Sequence, residues 1–206
     1  MNKYTVFEGN EGVGKTTLAK AFAREHRIEY TNEPNLHYPV CEILRNFCTR
    51  KNLTVTKSAR ELMLMASRSI SLEHIVRPAI DRGESMVSDR SFLSGMVYAR
   101  FENDWLDFEK WLMLARESHA IEILPDRIIY VKSTERKIDS QHADDKYDHL
   151  APGMFGYIDK LFEEALEFVQ TLRSWRGEPI QVIRFKNDFS VDEATNLRRL
   201  MREIGE

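Results

Sequence analysis

Gly9-Asn10-Glu11-Gly12-Val13-Gly14-Lys15-Thr16 is the stretch from which the fold of this chain can be read. A short apolar run, Tyr4-Thr5-Val6-Phe7, leads into it, and Thr17-Leu18-Ala19-Lys20-Ala21-Phe22-Ala23 leaves it with helical character. The pattern G-x-x-x-x-G-K-[ST] between a strand and a helix is a phosphate-binding loop. Glycines let the backbone curl until successive N–H groups point inward at phosphate oxygens. The positive end of the following helix adds to the attraction. On this reading residues 9–17 hold a nucleoside triphosphate, Lys15 reaches its β- and γ-phosphates, and the Thr16 hydroxyl ligates Mg²⁺. An ordinary Gly-rich turn would satisfy the letters but not both flanks.

Outward from the loop, strand and helix patterns alternate. Arg27 to Thr31, Ser85 to Ser88, Asp126 to Val131 and Ile180 to Arg184 read as further strands. Helical spacing runs from Pro39 through Phe47, from Ser58 to Asp81 with a bend at Pro78, and from Phe92 towards Glu117 with a break near residues 102–104. It returns from Met154 to Trp175 and from Val191 to Ile204. Such alternation predicts an α/β fold of the P-loop class, a parallel sheet with helices on both faces. We expect one domain over residues 1–206, with the polar segment at about 134–152 as a small lid.

The bulk properties are those of an ordinary soluble protein: 206 residues, 42% hydrophobic and 31% charged. A formal net charge of −3 argues against a general nucleic-acid binder. No apolar run is long enough to span a bilayer and no leader is visible, so no membrane partner is expected. Cys41 and Cys48 lie two helical turns apart and read as buried thiols of a reducing compartment. The expected location is the cytoplasm, the host's if the gene is viral.

Ligands of such sheets bind beyond the carboxyl ends of the strands. Glu33 and Asp89-Arg90 stand there with the loop. Asp89 reads as the metal-side carboxylate, or else as a helix N-cap. Arg90 beside a Mg²⁺ site makes sense chiefly when a phosphate lies between, which suggests a second phosphate-bearing substrate. Arg68 either reaches the cleft or snorkels to solvent; Glu33 either caps a helix or faces a sugar.

Taken together, these pieces resemble the thymidylate kinase family of nucleoside monophosphate kinases. The resemblance rests on Phe7 to Thr17, on Asn32-Glu33-Pro34 against the family's Arg-Glu-Pro, and on Glu61 through Arg68 to Glu84. It also rests on Asp89-Arg90-Ser91 with Tyr98 against an Asp-Arg-Tyr signature, and on Asp145-Lys146-Tyr147-Asp148 against the close of the family's lid. It implies transfer of the γ-phosphoryl of ATP to the 5′-phosphate of a deoxynucleoside monophosphate, dTMP first. Lys15, Thr16 and Mg²⁺ would hold the donor, Arg90 the acceptor phosphate and Arg68 the base edge. Tyr98 would crowd the sugar's 2′ position, Glu11 would sit near the acceptor phosphate and metal, and Ser94 and Gly95 would line the acceptor pocket. Many relatives are homodimers through long helices, and Trp111 to Leu114 could serve that role here.

The departures carry expectations too. Lid arginines usual in the family's bacterial branch are depleted, leaving Lys146 first and Arg136 second as the residue that neutralises the transferring group. Leu64 stands where an aromatic ring faces thymine, Gly95 where a small polar residue is usual, and Asn32 replaces an arginine. A lost stacking face and added space predict a broadened or altered base preference. Two other readings remain open at this point. A deoxynucleoside kinase would use Glu33 as general base towards a 5′-hydroxyl. A nucleotide-dependent switch would need no second substrate, although Lys186-Asn187-Asp188 does not fit a guanine motif.

Overall fold

The computed structural model describes residues 3–35, 38–49, 55–103, 106–137 and 150–206. Five strands form one parallel sheet: β1 (Tyr4–Glu8), β2 (Glu29–Asn32), β3 (Met86–Asp89), β4 (Arg127–Lys132) and β5 (Gln181–Lys186). Their spatial order is β2-β3-β1-β4-β5, with Phe7 paired to Asp89 on one side and to Ile129 on the other. The three central strands are buried almost throughout, as parallel strands covered on both faces must be.

Side chains alternate between the two faces. Tyr4, Val6, Met86, Ile128 and Tyr130 join one apolar cluster; Phe7, Val87, Ile129 and Val131 join the other. The first cluster is completed by α3 (Lys57–Ser71), α5 (Phe92–Glu102), α6 (Phe108–Glu117) and α7 (Pro152–Val169). The second is covered by α1 (Lys15–His26) and α8 (Glu193–Ile204). A further helix, α2 (Pro39–Thr49), packs on α3 and buries the Cys41 and Cys48 side chains, neither of them in a disulfide.

The expected bend at Pro78 has a specific form. A π-turn over Leu72–Val76 joins α3 to a short α4 (Arg77–Asp81), and the Arg77 N–H donates to the Leu72 carbonyl. Proline brings no N–H to the helix, and the wider turn absorbs the mismatch just before it. One expectation needs correction, and one is refined. The helix after Met154 stops at Val169 rather than Trp175, because the chain turns through Thr171 and Leu172 and the Trp175 N–H goes to the Leu124 carbonyl. The apolar run at 111–114 is split by helical geometry: Trp111 and Leu112 are core, while Met113 and Leu114 face outward. Among the described residues no helix is long and apolar enough to cross a membrane.

Candidate active site

The loop after β1 has the curled backbone its glycines foretell, with Gly9, Gly12 and Gly14 all at positive φ. A Cβ on Gly9 would stand 2.3 Å from the Val131 carbonyl oxygen, so the loop can lie against β4 only with glycine there. Asn10 ties the loop to α7: its amide donates to the Phe155 carbonyl at 2.9 Å and to Asp159 Oδ1 at 3.0 Å. Lys15 Nζ donates back to the Asn10 carbonyl at 2.6 Å. Burial, and then the neighbouring Arg90, lower the Lys15 ammonium to about 8. Thr17, next along α1, is exposed.

Asp89 belongs to the face of β3 that looks towards α1. Its Oδ2 accepts the Thr16 hydroxyl at 2.5 Å, whereas its Oδ1 is buried without a hydrogen bond among the described residues. It is not a helix cap; Ser91 occupies that position before α5. A hydroxyl and a spare carboxylate oxygen beside a phosphate-binding loop are hard oxygen donors that fit Mg²⁺, which takes few protein ligands and completes its shell with phosphate and water. Among the described residues no cluster of three His, Cys, Asp or Glu side chains stands ready to hold a metal.

Arg90 sits in the left-handed backbone region, φ 71°, a strained conformation for a residue with a side chain. That turn swings its guanidinium to the mouth of the loop. Nη1 donates to Ser94 Oγ at 2.8 Å and to the Gly9 carbonyl at 3.3 Å, and Nη2 pairs with Glu11. The Tyr98 ring lies beneath it at 5.5 Å, and the Tyr98 hydroxyl donates to Glu11 at 3.3 Å. Burial works against the Glu11 carboxylate, yet Arg90 and Lys15 outweigh it and hold the group below its ordinary range.

Arg68, on α3, is buried beside α5. Its Nε donates to Glu33 at 2.7 Å, Nη2 to the Ser91 carbonyl at 3.3 Å, and Nη1 has no partner among the described residues. Its guanidinium also stacks 5.6 Å from the Trp111 ring. Trp111 in turn donates to Glu61 at 2.5 Å. Burial raises the Glu33 carboxyl despite the arginine. Leu64 lies one turn before Arg68, half-buried.

The space expected from Gly95 is not open. A Cβ there would meet Arg68 Nη2 at 2.7 Å, Nη1 at 2.8 Å and Trp111 Cζ2 at 2.9 Å, so the guanidinium and the indole fill it. Arg136 is engaged with the loop: Nη1 donates to the Glu11 carbonyl at 2.9 Å, Nη2 to Asp159 at 3.2 Å, and its face covers the Phe155 ring at 4.1 Å. Lys146, with residues 138–149, lies outside the described residues.

Glu8, Ser91, Trp111 and Asp159 were not singled out from sequence as parts of the site. Only Glu8 carried a signal, as a carboxylate ending an apolar strand immediately before the loop. Asn187, just past β5, also reaches the loop: its amide donates to the Val13 carbonyl at 3.0 Å and abuts Gly14.

This geometry can be set beside known proteins. A family model described as thymidylate kinase matches residues 7–149. The chain belongs to the thymidylate kinase family. A thymidylate kinase of Campylobacter jejuni subsp. jejuni is 31% identical over 173 residues, covering 81% of this chain and 85% of that protein. One from Campylobacter concisus is 26% identical over 204 residues, covering 98% and 96%. The crystal structure of thymidylate kinase from Ehrlichia chaffeensis shares the fold, with a TM-score of 0.71 over 100% of this chain and 99% of that one at 18% identity. Membership makes this thymidylate kinase homologue an ATP-dependent nucleoside monophosphate kinase. It also removes the nucleoside kinase and the switch from the readings the sequence left open.

The buried Arg68–Glu33 pair yields a stability test. Their side chains are only 8% and 3% exposed, so Arg68→Met leaves an uncompensated carboxylate in the interior. The single substitution is expected to cost about 3–5 kcal/mol in urea unfolding, and Glu33→Leu added to it to restore most of that.

Proposed function

We propose that this chain phosphorylates dTMP to dTDP with Mg-ATP as donor. The observation that carries the reading is Arg90. A strained backbone aims its guanidinium at the rim of the phosphate loop, where a donor-binding loop alone needs no second cation. The reaction joins two polyanions, so catalysis is mostly alignment and charge neutralisation.

The roles follow from the contacts. Loop amides and Lys15 bind the donor phosphates, and Asn10 releases Lys15 Nζ to them. Arg90 takes the acceptor 5′-phosphate, exchanging part of its pairing with Glu11. Tyr98 lies under Arg90 and blocks the 2′ side of the sugar. Arg68 Nη1, a buried donor awaiting an acceptor, hydrogen-bonds the O4 carbonyl of thymine, while Glu33, Ser91 and Trp111 hold its plane. Thr16 and Asp89 would hold Mg²⁺, which would supply charge neutralisation for the donor phosphates. Lys146 takes the place of the lid arginine, and Arg136 braces the loop from the α7 side.

Three outcomes check this reading. In an assay of the deoxynucleoside monophosphates, dTMP should be best and dUMP within about tenfold, since one methyl is worth little. Against the expectation of broadened preference, dCMP should fall at least about a hundredfold, because its amino group leaves Arg68 unpaired. Equal use of dCMP would remove Arg68 from base recognition. Deoxythymidine should give no product.

The low value of Lys15 gives the second test. Between about 8 and the ordinary 10.5 the unfolded chain keeps this proton and the folded one does not, so its share of stability rises with pH across that window. Triphosphate binding should reverse the shift. Calorimetry at pH 8.5 in two buffers of different ionisation enthalpy should show uptake of up to about one proton per ATP, and Lys15→Met should show none.

The third test separates the two lid candidates. Lys146→Ala should lower kcat by at least about tenfold with little change in ATP KM. Arg136→Ala should act mainly on ATP KM; an unchanged kcat in the first variant would take Lys146 out of the mechanism.

A further inference from the structure

Glu8 is the last residue of β1 and shares the face of Tyr4 and Val6, so its side chain enters the interior under α5 rather than the phosphate loop. It is fully buried and has no cation in direct contact among the described residues. Three donors converge on its carboxylate instead. The Ser91 hydroxyl donates to Oε1 at 2.7 Å, the Ser94 backbone N–H to Oε1 at 3.3 Å, and the Ser94 hydroxyl to Oε2 at 2.5 Å. Burial raises this carboxyl, and the serine hydrogen bonds and Arg90 act to bring it back.

The arrangement replaces an ordinary helix cap. Ser91 holds the N-cap position of α5 but makes no capping bond to its own helix, because its hydroxyl is turned to Glu8. The Ser94 N–H, one of the donors that a helix start leaves unpaired, is taken by the strand carboxylate. Both arginines of the acceptor side hang from this knot. Arg90 Nη1 donates to the same Ser94 oxygen whose proton points at Glu8, and Arg68 Nη2 donates to the Ser91 carbonyl. The serine hydroxyl has one proton, so its commitment to Glu8 leaves its lone pairs facing Arg90.

We propose that Glu8 is a positioning residue for the acceptor substrate: by fixing the orientation of the Ser94 hydroxyl and the start of α5, it aims Arg90 at the acceptor phosphate. Ser91 belongs to the same device, since its hydroxyl reaches the same carboxylate. The proposal rests on the assignment of Arg90 to the acceptor phosphate. Glu8 itself bonds to the start of α5 and not to Lys15 or the loop amides, so its effect should fall mainly on the acceptor side.

The test is steady-state kinetics of the full chain with dTMP and ATP varied separately, on Glu8→Gln, Ser94→Ala, Ser94→Thr and Arg90→Met, with a thermal melt of each. In Glu8→Gln and Ser94→Ala the dTMP KM should rise about tenfold, the scale of one hydrogen bond to a charged group, with ATP KM within about twofold. Ser94→Thr keeps the hydroxyl and should regain most of the loss. Equal rises in both KM values, or a lowered melting temperature with dTMP KM unchanged, would reduce Glu8 to a structural role and overturn the proposal. If Glu8→Gln does not fold, Ser94→Ala with its threonine rescue decides the matter. Arg90→Met separates the two levels of inference. An unaltered dTMP KM there sinks the assignment of Arg90 and the Glu8 proposal with it, whereas a raised KM there and a normal one in Glu8→Gln sinks the Glu8 proposal alone.

Discussion

Charge gathered at the carboxyl edge of a parallel sheet is the constraint around which this protein is arranged. Glu8, Asp89, Lys15, Arg68 and Glu33 are all nearly inaccessible to water, and Glu11 and Arg90 are only partly exposed. An ion taken from water into a protein interior costs several kcal/mol unless partners neutralise it. Here each cation has a specific answer: Glu33 for Arg68, Glu11 for Arg90, and the Asn10 carbonyl for Lys15. The site is thus close to balance before any nucleotide arrives. On the proposed reading, phosphate enters by exchanging with Glu11 and the Asn10 carbonyl, which would make binding selective for groups at least as negative as those displaced.

The alternation of strand side chains decides who meets whom. Phe7, Val87 and Val131 look towards α1 and α8, and Asp89, two residues beyond Val87, follows them to the Thr16 hydroxyl. Val6, Met86 and Tyr130 look the other way, and Glu8 follows Val6 to the start of α5. Two carboxylates at the ends of adjacent strands therefore face opposite sides of the sheet, one towards the Thr16 hydroxyl on α1, the other towards the start of α5. A one-residue slip of β1 against β3 would exchange their faces and destroy both assignments.

The strand count, the parallel sheet and most helix bounds were legible because they depend on local period and on the phosphate loop, and both are written in consecutive residues. The curl of the glycine loop at residues 9–14 was legible for the same reason. Residues that work only through tertiary contact were not. Glu8 is a single letter in a familiar loop pattern, and nothing in sequence says that two serines more than eighty positions away will bind it. Trp111 reads as core, and it is core; that its face also holds Arg68 depends on how α6 lies across α3 and α5. The space at Gly95 was misjudged because absence of a side chain in sequence says nothing of which neighbour moves in.

The departure at Gly95 has a direct physical answer. A small polar group is expected there, yet no space is left by its absence, because Arg68 and the Trp111 ring fill it by direct packing. Well-packed interiors tolerate lost volume only when something else supplies it. Arg68 is in turn held by Glu33 and the Ser91 carbonyl. Its rigidity comes from buried pairs, so a side chain restored at Gly95 alone would displace Arg68 before it could contribute a contact of its own.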